Sequence, residues 1–203
     1  NERLATNTAS LRLSIDAGVQ DATRLALQQG IEKYMAVGGT ALVSSAKTGE
    51  VLAMVSLPDY GPNNLAAANA DQLFNKATLG VYEVGSIFKI FNTALGLESG
   101  QFKVTDRFDA SHPMRLARFM IKDTHPVNHP ITLPEVMIHS SNIASAQIAM
   151  AVGGKLQKEF LARLGLLRRI EFDLPETATP LTPGSKVWKE LTSATVSYGY
   201  GVA

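Results

Sequence analysis

The chain has 203 residues, 45% hydrophobic and 18% charged, with a mean hydropathy of +0.04, the profile of a globular domain with enough apolar material for a core. Nineteen basic against eighteen acidic residues leave a net charge of +1, and no basic run is long enough to follow a phosphate backbone, which argues against nucleic acid as a partner. The absence of cysteine excludes disulfides, a thiol nucleophile and a thiolate-bound metal, and leaves the compartment open.

Leu11 to Ile15 alternates apolar and polar side chains and predicts a strand, with Asp16 placed to cap a helix. That helix is expected to run to about Met35, because Val19, Ala22, Ala26, Leu27, Ile31 and Tyr34 recur at steps of three and four, and Gly38-Gly39 supplies the stop. Thr40 to Ser45 and Val51 to Ser56 read as an antiparallel hairpin around Ala46-Lys47-Thr48-Gly49-Glu50, whose glycine suits a left-handed residue. From Leu57 to Asn64 the composition is that of a loop; helical patterns then dominate from about Asp71 to Gly165, with few strand signals. One helix is expected to start at Gly85-Ser86, bury the face carrying Ile87, Ile90, Phe91, Ala94 and Leu97, and stop at Gly100. Thr132-Leu133-Pro134-Glu135 is a capping box with proline in the first turn, so a short helix should reach about Ile138, and Ser140-Ser141-Asn142 falls where it ends. Ile143, Ile148, Ala149 and Val152 mark another helix, and Leu156 to Leu164 one more before a Pro- and Gly-punctuated tail. No apolar run approaches the roughly 18 residues of a membrane span, and Asn1-Glu2-Arg3-Leu4-Ala5 is unlike a secretory signal. Without an initiating Met, and ending in the glycine-rich Tyr198-Gly199-Tyr200-Gly201-Val202-Ala203, the chain reads as an excised piece.

Ser86 and Lys89 stand three residues apart, so on a helix their side chains can touch. A serine hydroxyl becomes a nucleophile when a base takes its proton, and a desolvated lysine can be that base because burial disfavours its ammonium form. Alone, the pair reads first as a helix-capping serine beside a solvated lysine. Ser140-Ser141-Asn142 has the same two readings: a cap at a helix junction, or a hydroxyl that relays a proton beside an amide that holds a carbonyl. In combination they match the first two parts of the Ser-x-x-Lys, Ser-Asp-Asn type and Lys-Thr-Gly series of class A β-lactamases and penicillin-binding proteins. Lys47-Thr48-Gly49 spells the third part, but it precedes Ser86 and occupies a hairpin tip, where turn chemistry explains it.

Along nearly its whole length the chain resembles the transpeptidase domain of class B penicillin-binding proteins, and within them the division-specific branch. The resemblance is carried by Leu11-Arg12-Leu13-Ser14-Ile15-Asp16 with Gln20, by Thr48 to Met54 with Pro58-Asp59-Tyr60, by Tyr82-Glu83-Val84-Gly85-Ser86-Ile87-Phe88-Lys89, and by His139-Ser140-Ser141-Asn142. Pro134-Glu135 and Ser197-Tyr198-Gly199-Tyr200-Gly201 point to the division type. The chain departs from the family at Val84 and Ile87, where proline and threonine are usual.

The resemblance implies an α/β (α+β) fold of the penicillin-recognising transpeptidase and β-lactamase kind, an antiparallel sheet flanked by helices plus a helical lobe. Residues 1–203 would form the first part of one such domain: a sheet lobe over about 1–57, a helical lobe over about 58–165 and a return to the sheet over 166–203. The true Lys-Thr-Gly or Lys-Ser-Gly strand and two further strands are expected beyond Ala203. By resemblance Ser86 is the acylated nucleophile, Lys89 its general base, Ser140 the proton carrier toward the leaving amine, and Asn142 the group that holds the acyl side chain's amide. Peptidoglycan stem peptides and β-lactam antibiotics are the implied ligands, with other division proteins as further partners. The implied place is the periplasmic side of the inner membrane, reached through an N-terminal anchor absent from this sequence.

No cofactor or metal is expected: His125 and His129 are separated by Pro126 and followed by Pro130, which breaks a shared helical face, and His112 and His139 stand alone. A serine β-lactamase would share Ser86 and Lys89 but needs a deacylating group that no residue evidently supplies. A non-catalytic module that binds β-lactams or muropeptides is the reading outside the enzymes.

Overall fold

The computed structural model describes residues 10–184, 186 and 188–203, so Asn1-Glu2-Arg3-Leu4-Ala5 lies outside the described residues. The chain divides into two compact units, Asn1–Gly80 and Val81–Ala203.

In the first unit the Asp16 carboxylate accepts the Val19 N–H at 2.9 Å and starts α1, Ala17–Tyr34. The helix stops at Met35, left-handed with φ 52°, rather than at the glycine pair. Gly38 and Gly39 serve packing instead: a Cβ on Gly38 would lie 2.6 Å from the Leu57 carbonyl oxygen, and one on Gly39 3.1 Å from Leu27 Cδ1. The expected strand over Leu11–Ile15 does not form. Its ties to the hairpin are Ser14 Oγ on the Val51 carbonyl and the Asp16 N–H on that of Leu52, and Leu11 and Leu13 stay exposed, because alternation without a ladder buries nothing.

Strands β1 (Gly39–Ser44) and β2 (Val51–Leu57) pair antiparallel with an irregularity at Val43/Ser44, and Ala53, Val55 and Leu57 alternate into the interior. Gln20 on α1 completes the rung at Met54: its amide donates to the Met54 carbonyl at 2.9 Å and accepts the Met54 N–H at 2.8 Å, as a neighbouring strand would. Lys47-Thr48-Gly49 sits at the hairpin tip. Gly49 has φ 78° and donates to the Ser45 carbonyl, and the Thr48 hydroxyl donates to Glu50. Further on, Asn69 and Gln72 form a capping box on the short α2, Ala70–Leu73.

The second unit is built around helices α3 (Lys89–Glu98), α4 (Leu133–Ile138), α5 (Asn142–Val152), α6 (Gly154–Arg163) and α7 (Glu190–Val196). Helix α5 is apolar on nearly every side and lies at the centre, with Ile143, Ala144, Ala146, Ile148 and Ala149 almost fully buried. Four short strands interrupt the run expected to be helical: β3 (Arg107–Phe108) pairs with β6 (Ile131–Thr132), and β4 (Met114–Leu116) with β5 (Phe119–Ile121). Strands of two or three residues are too short to show a period of two. Helix α7 is likewise invisible in the sequence, since its buried face, Ser193, Ala194 and Val196, carries two small side chains.

The buried side of α3 also differs from the expected one. Phe88, Lys89, Asn92, Leu95 and Gly96 point inward, while Ile87, Ile90 and Leu97 are 67, 55 and 41% exposed. Apolar residues surround this helix, so periodicity does not choose the face; polar partners for Lys89 and Asn92 do. A Cβ on Gly96 would sit 2.9 Å from Ile148, and Asn92 donates to the Ser145 carbonyl at 3.0 Å.

Candidate active site

Ser86 belongs to a 3₁₀ turn, Gly85–Phe88, that runs into α3, not to an α-helix beginning at Gly85 as expected. The difference aligns the pair: with three residues per turn, positions three apart eclipse, so Ser86 stands directly over Lys89. Gly85 enters the turn at φ 58°, a conformation that a side chain would oppose. The back of the turn is closed by Gly199, φ 84°, on which a Cβ would fall 2.1 Å from the Gly85 carbonyl oxygen. Two residues on, the Gly201 N–H donates to Glu83 at 2.6 Å. The Tyr198 to Gly201 segment is therefore seated against the nucleophile's turn.

At the other side stands the junction between α4 and α5. Glu135 accepts from the Thr132 N–H and hydroxyl at the start of α4. At its end the Ser140 N–H returns to the Met137 carbonyl and the Ser141 N–H to that of Val136. This is a Schellman turn with Ser140, φ 53°, at the left-handed position where glycine is usual. Ser141 then caps α5 by accepting the Ala144 N–H at 3.0 Å.

Lys89 joins the two sides. Its Nζ lies 3.0 Å from Ser86 Oγ, 2.6 Å from the Ser140 carbonyl oxygen and 2.9 Å from Ser140 Oγ. The side chain is only 1% exposed, and burial lowers its pKa from 10.5 to about 8, against a smaller opposing effect of the Asp123 charge. The ammonium form uses all three N–H bonds on these contacts. In the neutral amine the Ser140 carbonyl must keep an N–H, because it can only accept, so the lone pair falls to one of the two hydroxyls. The arrangement can thus take a proton from Ser86 and hand one to or from Ser140.

Asn142 is brought to the same junction, but its amide Nδ2 donates to the Lys122 carbonyl at 3.0 Å and its N–H to Asp123 at 2.6 Å. What it keeps for another molecule is Oδ1, which has no partner among the described residues. Sequence reasoning misses Asp123, Glu83 and the seating of Gly199 on Gly85. Asp123 stands two residues beyond the end of β5 and outside both motifs, so its only local signal is an acid shortly after an apolar strand.

Comparison with known proteins bears on this geometry. The penicillin binding protein transpeptidase domain matches residues 39–203. The chain belongs to that family. Among curated members it is 40% identical over 191 residues to the probable peptidoglycan D,D-transpeptidase FtsI of Caulobacter vibrioides, covering 94% of this chain and 32% of that protein. It is 30% identical over 193 residues to the peptidoglycan D,D-transpeptidase FtsI of Escherichia coli K12, covering 95% of this chain and 32% of that protein. The chain thus spans about a third of the length of these relatives. The apo transpeptidase domain of Burkholderia pseudomallei penicillin-binding protein 3 superposes with a TM-score of 0.82 at 29% identity, covering 94% of this chain and 53% of that one. A Burkholderia ambifaria structure described as a peptidoglycan glycosyltransferase gives 0.83 at 29% identity, with 94 and 56% coverage. The fold is that of the penicillin-binding transpeptidase domains, as the resemblance implied.

Proposed function

We propose that this chain carries the acylating part of a peptidoglycan D,D-transpeptidase of the division type, with Ser86 as nucleophile. The observation that supports this reading most directly is the buried Lys89, held against Ser86 Oγ and both oxygens of Ser140. In the first step neutral Lys89 takes the Ser86 proton while Ser86 Oγ attacks the carbonyl between the terminal D-alanines of a stem peptide. The tetrahedral adduct collapses as the C–N bond breaks, and the departing D-alanine amine receives the proton by way of Ser140. An amine of a second stem peptide then attacks the Ser86 ester, gives up its proton to the same relay and frees the serine, which leaves a crosslink. Asn142 Oδ1 is the acceptor offered to an N–H of the acyl chain.

A β-lactam enters as the donor does, and its ring C–N bond opens onto Ser86. The likeness to the FtsI transpeptidases supports the division role; in this reading the site works on the periplasmic side of the cell membrane, and other division proteins are its partners. Among the described residues no helix is long and apolar enough to cross a membrane.

Intact-mass measurement after incubation with penicillin tests the reading. The expected result is one persistent adduct that Ser86→Ala abolishes. An adduct that survives Ser86→Ala overturns the nucleophile, and one that hydrolyses within seconds makes the protein a β-lactamase. No adduct on the folded protein removes the catalytic reading and leaves a binding module.

A further inference from the structure

We propose that Asp123 is a positioning residue of this site, whose carboxylate fixes the start of α5 and through it the left-handed Ser140 that holds Lys89. The inference rests on the acyl-enzyme reading above and adds to it a residue that neither motif contains. Asp123 is 9% exposed, and both of its oxygens are spent on one place in the chain. Oδ2 accepts the Ser141 hydroxyl at 2.6 Å, and Oδ1 accepts the N–H groups of Asn142 and Ile143 at 2.6 and 3.0 Å.

These three donors do two things. Two are first-turn amides of α5, which have no partner inside their helix, so the carboxylate and the positive end of the helix stabilise each other. The third, the Ser141 O–H, is aimed away from the helix, which leaves a lone pair of that oxygen for the Ala144 N–H. Ser141 is held at both its hydroxyl and its N–H, the latter on the Val136 carbonyl. Ser140 lies directly before it, in a conformation that costs a non-glycine residue about 1–2 kcal/mol and persists only where its surroundings impose it. Freed from Asp123, the junction can relax to a right-handed turn and carry the Ser140 carbonyl and hydroxyl off Lys89 together.

Asp123 also acts on the lysine through space. It makes no ion pair with Lys89, yet its charge favours the ammonium against the burial that disfavours it. The other groups that face the nitrogen, Ser86 from its own turn and Ser140 from the α4–α5 junction, are neutral. A residue with only a structural role would not affect the protonation of Lys89, so the pH profile separates the two roles.

The test follows the rate of Ser86 acylation by a fluorescent penicillin against pH in the wild-type protein, Asp123→Asn and Asp123→Ala, with the thermal transition of each. A wild-type protein that forms no Ser86 adduct defeats the acyl-enzyme reading itself and not this inference. Given that adduct, Asp123→Asn is expected to keep a shape that fits, lower the plateau rate about 10–100-fold through misplacement of Ser140, and move the acid limb to lower pH. Asp123→Ala should fall further on the plateau, and if it does not fold, the isosteric Asn variant decides. An Asn variant with the wild-type plateau, or one with a lowered plateau and an unmoved acid limb, overturns the proposal.

Discussion

The carbonyl oxygen of Ser140 lies 2.6 Å from Lys89 Nζ, closer than either hydroxyl that shares this nitrogen. Because a carbonyl never donates, this contact survives every protonation state of the lysine and fixes the direction in which its lone pair can turn. Ser140 therefore contributes twice, once through its backbone and once through its side chain.

Substitution can separate the two contributions. Ser140→Ala keeps the carbonyl and removes the hydroxyl, and the acylation rate is expected to fall about 10²–10⁴-fold, the range for loss of a proton-transfer group. Ser140→Gly removes the same hydroxyl but suits φ 53°, so it should fold more stably than the Ala variant by about 1 kcal/mol while acylating no faster. Acylation progress curves beside denaturant midpoints check both. A Gly variant that acylates like wild type would show that the hydroxyl carries no proton.

The sequence makes legible those parts of the site whose geometry is local. Three-residue spacing aligns Ser86 with Lys89, and the capping box Thr132-Leu133-Pro134-Glu135 announces α4 and hence the position of its end. The hairpin is equally local, since Gly49 and the alternation of Ala53, Val55 and Leu57 need no distant information. What stays hidden depends on partners far along the chain. The inward side of α3 is set by Ser140 and Ser145 more than fifty residues away, so a lysine and an asparagine go in while Ile87 and Ile90 stay out. Asp123 meets Ser141, and Gly199 meets Gly85, only after the fold has formed.

Burial of Lys89 should appear in the pH dependence of stability. Its pKa is about 8 in the folded protein and near the ordinary 10.5 in the unfolded chain, so between these values the unfolded state binds more protons. Stability therefore rises as pH climbs from about 8 toward 10.5, by up to about 3 kcal/mol, and falls back as pH returns through the folded pKa. Tyr198 opposes this at the alkaline end: burial, and then Tyr200, raise its pKa above 10, so its ionisation favours the unfolded chain. Lys89→Met keeps Tyr198 and loses the lysine. The difference between wild type and Lys89→Met in urea-unfolding free energy, measured from pH 7.5 to 10, should carry the lysine's slope alone, and a flat difference would contradict a buried amine.

The seating of Gly199 on Gly85 leads to the last prediction. A Cβ on Gly199 would lie 2.1 Å from the Gly85 carbonyl oxygen and 2.6 Å from its nitrogen, which are backbone atoms of the turn that carries Ser86 and cannot swing aside as a flexible side chain would. Gly201, φ 80°, has open space where its Cβ would go. Gly201→Ala should therefore cost only the left-handed backbone, about 1 kcal/mol, and leave acylation within a few-fold of wild type. Gly199→Ala should cost about 1–3 kcal/mol more through overpacking, and should displace Ser86 from Lys89 enough to slow acylation by about 10²-fold. Paired measurements of thermal midpoint and of penicillin acylation check this order. Equal effects of the two variants would mean that the close approach of Gly199 to the turn does not position the nucleophile.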